Sequence, residues 1–142
     1  MNSTQQTTPN AHRPFSFPVR VYYEDTDTAG VVYYAGYLRF LERGRTEWLR
    51  ALGIEQPKIA EELGVAFAVR SLNIEYLKPA RLDDLLNIVT HVESMGRAQI
   101  MFGQRVEREG ELLVEATVRI VSLNLHTMKA AALPKNIRAL ME

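Results

Sequence analysis

The hydrophobic positions between residues 34 and 52 recur every three or four residues. They are Tyr37, Leu41, Gly44, Trp48 and Leu52, with Leu38 and Leu49 beside them. This period is typical of an amphipathic α-helix, and Gly53 stands where that helix is expected to end. Gly44 lies inside the apolar stripe, so we expect another part of the backbone to approach the helix closely at that point.

Most of the remaining chain alternates hydrophobic and polar residues, which is typical of β-strands. The pattern predicts strands at residues 15–24, 65–77, 84–93, 98–106 and 112–125, with hairpin turns at 94–97 and 108–111. Residues 55–63 suit a short helix before Gly64, and residues 133–140 suit a little more helix. Pro18 cannot donate to a β-ladder, so the first strand is expected at a sheet edge.

This order of elements predicts an α+β fold with an antiparallel sheet of about five strands around one long helix. Tight hairpins join antiparallel strands, and a helix with a single apolar stripe must bury it against the sheet. We predict one domain at residues 15–142 and a disordered tail at residues 1–14, which are rich in Ser, Thr, Gln and Asn. Open strand edges favour pairing with a second subunit.

Composition excludes several classes of function. The 142 residues include 17 Lys plus Arg and 17 Asp plus Glu, so no overall basic field is present to attract nucleic acid or lipid. Cysteine is absent, which excludes disulfides, a thiolate nucleophile and a cysteine-ligated zinc site. The polar N-terminus does not match a secretory signal, and no stretch has the roughly 18 apolar residues of a membrane helix. A soluble cytoplasmic protein is expected.

Common catalytic and metal-binding motifs are also missing from the sequence. The three histidines, His12, His91 and His126, have no paired spacing that would suggest metal ligands, so we predict no metal site. There is no Gly-x-Ser-x-Gly nucleophile motif, and the glycines match neither a Walker A loop nor a dinucleotide fingerprint.

Chemistry concentrates in residues 21–40, where Glu24, Asp25 and Asp27 stand among tyrosines just before the long helix. One interpretation is a strand-to-helix loop, because Asp and Thr are common turn and N-cap residues. The other is a hydrolytic site. Free N–H groups at the helix N-terminus would polarise a carbonyl, while a carboxylate attacks it or activates water. Gly30 would then let the backbone approach a ligand closely.

The block at residues 23–34, followed by Tyr37, resembles the signature of the 4-hydroxybenzoyl-CoA thioesterase family of hotdog-fold enzymes. Within that family, it is most similar to the YbgC-type branch of acyl-CoA thioesterases associated with the bacterial Tol–Pal system. Further matching blocks are residues 42–47, 65–70, 79–84 and 132–134, so the resemblance covers nearly all of residues 17–138.

The resemblance implies a hotdog fold, hydrolysis of acyl-CoA thioesters, and a dimer or tetramer with its site at the subunit interface. It implies Asp27 as the catalytic carboxylate, either nucleophile or general base, and the backbone N–H of Tyr34 as the donor that polarises the thioester carbonyl. No cofactor is implied, since CoA is part of the substrate.

Other residues are predicted to contact the substrate or to support the loop. The substrate-binding candidates are Gly30, Val31, Tyr33, Tyr37, Lys78 and Arg81. Lys78 and Arg81, together with Arg97 and Lys129, are candidates for contacting the CoA phosphates across the subunit interface, although an ordinary surface charge is favoured for each. A cap or turn role is favoured for Asp25.

The chain departs from the YbgC-type branch at Tyr34. That branch usually carries His at this position, whereas the hydroxybenzoyl branch carries Tyr. The tyrosine supports an alternative interpretation, a hotdog scaffold with little catalysis that binds acyl carrier protein or lipid-synthesis enzymes. A dehydratase of the same fold is disfavoured, because no His lies in residues 13–90 to serve as its catalytic histidine.

Overall fold

The computed structural model describes residues 13–142, which form five β-strands and three α-helices. The strands are β1 (Phe15–Arg20), β2 (Val65–Tyr76), β3 (Leu85–Met95), β4 (Gln99–Arg108) and β5 (Glu111–Asn124). The helices are α1 (Gly36–Ala51), α2 (Gln56–Leu63) and α3 (Lys135–Met141). This order confirms the predicted α+β class. Most of the predicted disordered tail, residues 1–12, lies outside the described residues.

The strands form one antiparallel sheet in the order β1-β3-β4-β5-β2. β1 lies at one edge, as Pro18 predicted, and the 12-residue β2 lies at the other. Helix α1 packs closest to β3 and β1. The side chains of β2 are consequently more exposed than those of the central strands. Within residues 13–142, no helix is long and apolar enough to cross a membrane.

Helix α1 buries most of the predicted apolar stripe, including Tyr37, Leu41 and Trp48. Trp48 is fully buried, and its ring packs edge-on against Phe102 of β4 with centroids 5.4 Å apart. Leu38, which was expected to broaden the stripe, is exposed instead. Phe40 is fully buried instead, so the side of the helix that carries Phe40, and not the side that carries Leu38, faces the sheet.

Gly44 is buried at the closest approach of α1 to the sheet. A Cβ atom at this position would lie 2.6 Å from Cγ2 of Ile88 and 3.1 Å from Oγ1 of Thr90. The buried amide of Gln104 fills the neighbouring space, and its Nε2 donates to the backbone oxygen of Leu41 at 2.9 Å. The predicted close approach is therefore confirmed, and a polar side chain in the core ties helix to sheet.

The largest error in a predicted boundary is at the end of the first strand. The first strand ends at Arg20 rather than residue 24, and Tyr23–Asp25 form one turn of 3-10 helix. The chain folds back there because the amide of Tyr22 donates to Oδ2 of Asp25 at 2.9 Å. At the first hairpin, β3 continues past residue 93 to Met95, and its register with β4 shifts between Val92 and Ser94.

Candidate active site

The loop before α1 packs against the segment after β2, which unites two sequence blocks about 50 residues apart. The amide of Val32 donates to the backbone oxygen of Ala80 at 2.8 Å, and Val31 forms a β-bridge with Arg81. The buried hydroxyl of Tyr37 accepts from the amide of Ala80 at 2.9 Å. Burial raises the pKa of Tyr37, so this hydroxyl stays protonated at neutral pH. These contacts fix the loop relative to the first turn of α1.

Asp27 lies at the start of a tight turn that ends at Gly30. The amide of Gly30 donates to the backbone oxygen of Asp27 at 3.0 Å. The amide of Asp27 donates to the backbone oxygen of Val31, also at 3.0 Å. One side-chain oxygen, Oδ1, accepts from the amide of Ala29 at 2.9 Å. The carboxylate is exposed, which leaves Oδ2 available. Gly30 has a φ of +77°, so its first role here is to close the turn.

Asp25 has a different environment from Asp27, although only one residue separates them. Its side chain is 3% exposed, accepts from the amide of Tyr22 and pairs with Arg39 at 3.1 Å. A continued strand would have placed both acids on one side, but the 3-10 turn buries Asp25 and exposes Asp27. Asp25 thus has the local turn role that was favoured for it.

The backbone N–H of Tyr34 is available to a ligand. This N–H belongs to the peptide group between Tyr33 and Tyr34. The carbonyl oxygen of that group, from Tyr33, accepts a hydrogen bond from the amide of Gly36 at 2.7 Å. Because that peptide is trans, the N–H of Tyr34 points away from the helix turn. Among the described residues, no hydrogen bond uses this N–H, whereas the amides of Val32 and Tyr33 are both bonded. α1 begins two residues later, so the donor lies in the turn that leads into the helix.

Aromatic side chains surround an open cavity of about 250 Å³ beside this peptide. It is lined by Val32, Tyr34, Tyr37, Tyr76, Leu77, Lys78 and Pro79. Tyr33 lies outside the cavity with its ring centroid 4.7 Å from that of Tyr34. The predicted residues Tyr34, Tyr37 and Lys78 therefore share one cavity. Tyr76 was not predicted, because sequence spacing gives no sign that the end of β2 reaches Tyr34.

Charged residues next to the cavity form a network. Lys78 pairs with Glu111, and Arg108 bridges Glu111 at 2.9 Å and Asp84 at 2.7 Å. Hydrogen bonds from Lys78 and Arg108 lower the pKa of Glu111. Partial burial raises the pKa of Asp84, but bonds from the Arg81 amide and Arg108 outweigh burial and lower it overall. Both carboxylates stay ionised, and Glu111 holds Lys78 at the cavity wall.

The four cationic candidates for CoA phosphates are divided between two ends of the sheet. Arg81 is exposed beside Val31, and Lys78 lines the cavity. Arg97 lies in the β3–β4 turn, and Lys129 follows β5, so both lie at the end of these strands far from the cavity. Within one chain, strands of more than ten residues therefore separate Arg97 and Lys129 from the other two cations, and their contact with CoA phosphates across a subunit interface stays a prediction.

Comparison with known proteins links this arrangement to one superfamily. Residues 21–141 match the family model described as the thioesterase-like superfamily. The chain is 50% identical over 125 residues to the acyl-CoA thioesterase YbgC of Haemophilus influenzae, covering 88% of this chain and 92% of that protein. It is 51% identical over 126 residues to the acyl-CoA thioester hydrolase YbgC of Escherichia coli O6:H1, covering 88% and 93%.

A solved structure shares the fold. The crystal structure of a "probable thioesterase" from Bartonella henselae superposes with a TM-score of 0.83 and is 37% identical in sequence. The match covers 86% of this chain and all of that chain. The relatives and this structure agree on fold and chemical class, and they match almost the full length of the described residues.

Proposed function

This chain belongs to the thioesterase-like superfamily and is an acyl-CoA thioesterase, and we propose that Asp27 and the Tyr34 amide carry its reaction. The observation that carries the proposal is the free N–H of Tyr34, which lies beside an aromatic cavity on the same short loop as the exposed carboxylate of Asp27. A fixed donor and a carboxylate on one short loop are the two groups that thioester hydrolysis requires.

In this mechanism the thioester carbonyl oxygen accepts a hydrogen bond from the Tyr34 N–H. Asp27 then acts in one of two ways. As a nucleophile, its oxygen bonds to the carbonyl carbon, the C–S bond breaks and CoA leaves as the thiolate. Water next attacks the acyl carbon of the anhydride, which releases the acid and restores Asp27. As a general base, Asp27 takes a proton from the water that attacks the thioester carbon directly. The C–S bond then breaks, CoA leaves as the thiolate, and Asp27 passes the proton to that thiolate or to solvent. Neither route needs a cofactor.

The substrate binds along the surface formed by Gly30, Val31, Tyr33 and Tyr37. In this proposal Arg81 is the cation that meets a CoA phosphate, since its guanidinium is exposed beside Val31. Lys78 contributes less charge, because it is paired with Glu111. The aromatic rings of Tyr34 and Tyr37 form the wall that contacts the acyl group.

The proposed function is tested by measuring free-thiol release from a panel of acyl-CoAs: butyryl, hexanoyl, palmitoyl and benzoyl. We expect turnover of at least one member well above the uncatalysed rate. If none is hydrolysed by folded protein, the thioesterase proposal fails. Binding of acyl carrier protein without turnover would favour the alternative function, a scaffold that keeps this fold and has lost catalysis.

The enzyme is proposed to work as a homo-oligomer, a dimer or tetramer, that pairs along β2. Within the described residues, the outer edge of β2 has no partner strand, and Val69 and Leu72 expose 53% and 38% of their surface. β2 ends at Tyr76, which lines the cavity, so a second copy on this edge would lie next to the site.

A cytoplasmic location and association with Tol–Pal stay predictions from the sequence.

Charging this edge is expected to separate the subunits. The double variant Val69→Lys/Leu72→Lys places two like charges on each copy, and facing like charges oppose strand pairing. Light scattering should show a monomer, with activity lowered about tenfold or more because each site loses its neighbouring subunit. Leu63→Lys, on the exposed end of α2, is the matched control and should keep the wild-type mass. An unchanged mass for the double variant would contradict pairing along β2.

A further inference from the structure

Tyr76 connects the end of β2 to the loop that carries the free amide. Its hydroxyl donates to the backbone oxygen of Tyr34 at 3.1 Å. Its ring meets that of Tyr34 edge-on with centroids 6.3 Å apart, and lies 5.6 Å from the ring of Tyr37. Building on the proposed thioesterase function, we infer that Tyr76 is a positioning residue that orients the backbone of Tyr34 for binding the thioester oxygen.

The physical argument rests on the two peptide groups that flank the α-carbon of Tyr34. The preceding group contains the Tyr34 N–H and is held through the Tyr33 oxygen by the amide of Gly36. The following group contains the Tyr34 oxygen and is held by Tyr76. Each group is a rigid plane, so fixing both leaves little freedom for the two rotations at Tyr34. A donor accelerates reaction only when it is already aimed at the developing negative charge.

The hydroxyl of Tyr76 is suited to this role at neutral pH. Burial raises its pKa, and the neighbouring Tyr34 hydroxyl raises it further, so the group stays protonated and can donate. The contact also joins residues 42 positions apart, so it forms only when the end of β2 has reached the loop that precedes α1. The strand proposed to pair with a second subunit therefore ends on the group that orients the amide.

The variant Tyr76→Phe removes only the hydroxyl and keeps the ring. We expect kcat for the best acyl-CoA substrate to fall about 3- to 10-fold, the range for one lost hydrogen bond, with KM changed less than twofold. A ketone analogue of hexanoyl-CoA, with methylene in place of sulfur, serves as a probe of the bound carbonyl. In wild type its infrared carbonyl stretch should shift to lower frequency on binding, and in Tyr76→Phe the shift should be smaller.

The control is Tyr23→Phe, since Tyr23 is 81% exposed and lies outside the cavity. It should match wild type in kcat and in the carbonyl stretch. Equal kcat and equal stretch in Tyr76→Phe and wild type would overturn the inference. A loss of kcat that comes with a changed oligomeric mass or a lower Tm would also overturn it, because Tyr76 would then act on stability. Failure of wild type to hydrolyse any acyl-CoA would instead refute the proposed function, and the inference with it.

Discussion

Replacing Asp27 with asparagine is expected to lower kcat for acyl-CoA hydrolysis by at least about 10³-fold, the scale at which catalytic nucleophiles and bases act. An amide neither attacks the thioester carbonyl nor takes a proton from water. Oδ1 of asparagine can still accept from the amide of Ala29, so the turn from Asp27 to Gly30 should keep its shape. The variant therefore removes charge and basicity while leaving the loop in place.

The matched control for this experiment is Asp83→Asn. Asp83 is also exposed, and its φ of 71° is one that asparagine adopts readily. We expect its kcat to stay within about twofold of wild type, as for an exposed substitution at a residue that has no part in the proposed reaction. Near wild-type hydrolysis by folded Asp27→Asn would show that another group performs the reaction. Rapid quenching and mass spectrometry of the peptide with Asp27 would detect an acyl adduct only on the nucleophilic route.

Gly44→Ala is expected to lower the free energy of unfolding by about 2 kcal/mol, a typical cost of overpacking a core. The new methyl group would lie 2.6 Å from Cγ2 of Ile88, a stiff β-branched side chain, and 3.2 Å from Nε2 of Gln104. Alanine favours the helix by roughly 1 kcal/mol over glycine, which offsets only part of this cost. Urea denaturation followed by circular dichroism measures the difference.

A double-mutant cycle separates the clash from other effects of Gly44→Ala. Ile88→Ala removes Cγ2, so in that background the penalty of Gly44→Ala should fall below about 1 kcal/mol. An equal penalty in both backgrounds would show that contact with Ile88 is not its cause. A stabilising effect of Gly44→Ala alone would show that α1 moves away from the sheet at little cost.

The spacing of hydrophobic residues predicted the elements of this fold well, because a helix or strand that buries one side repeats its hydrophobic residues at a fixed interval. The apolar stripe around Trp48 forms α1, and the alternating residues of β4 and β5 are buried as expected. Errors occurred where short-range polar bonds override alternation. The carboxylate of Asp25 turns the chain before residue 24, and alternation carries no information about such a bond.

The candidate site divides in the same way. Asp27, Gly30, Tyr34 and Tyr37 came from one continuous block, whose residues stay close in space because the loop that holds them is short. Tyr76 could not be predicted from that block, since its hydrogen bond to Tyr34 depends on how the end of β2 meets the start of α1. Arg97 and Lys129 were grouped with Lys78 by charge, and within one chain they lie at the opposite end of the sheet, so only a second subunit could bring them to the same substrate.

The sequence alone therefore determined the elements, the superfamily and the loop proposed to carry the catalytic residues, because these depend on local pattern and contiguous motifs. Only the tertiary structure decided which acid is buried and which is exposed, which amide N–H stays free, and that the hydroxyl of Tyr76 holds the peptide beside it. These properties depend on hydrogen bonds between residues distant in sequence. Such bonds form once the sheet and α1 have packed, and no single stretch of chain encodes them.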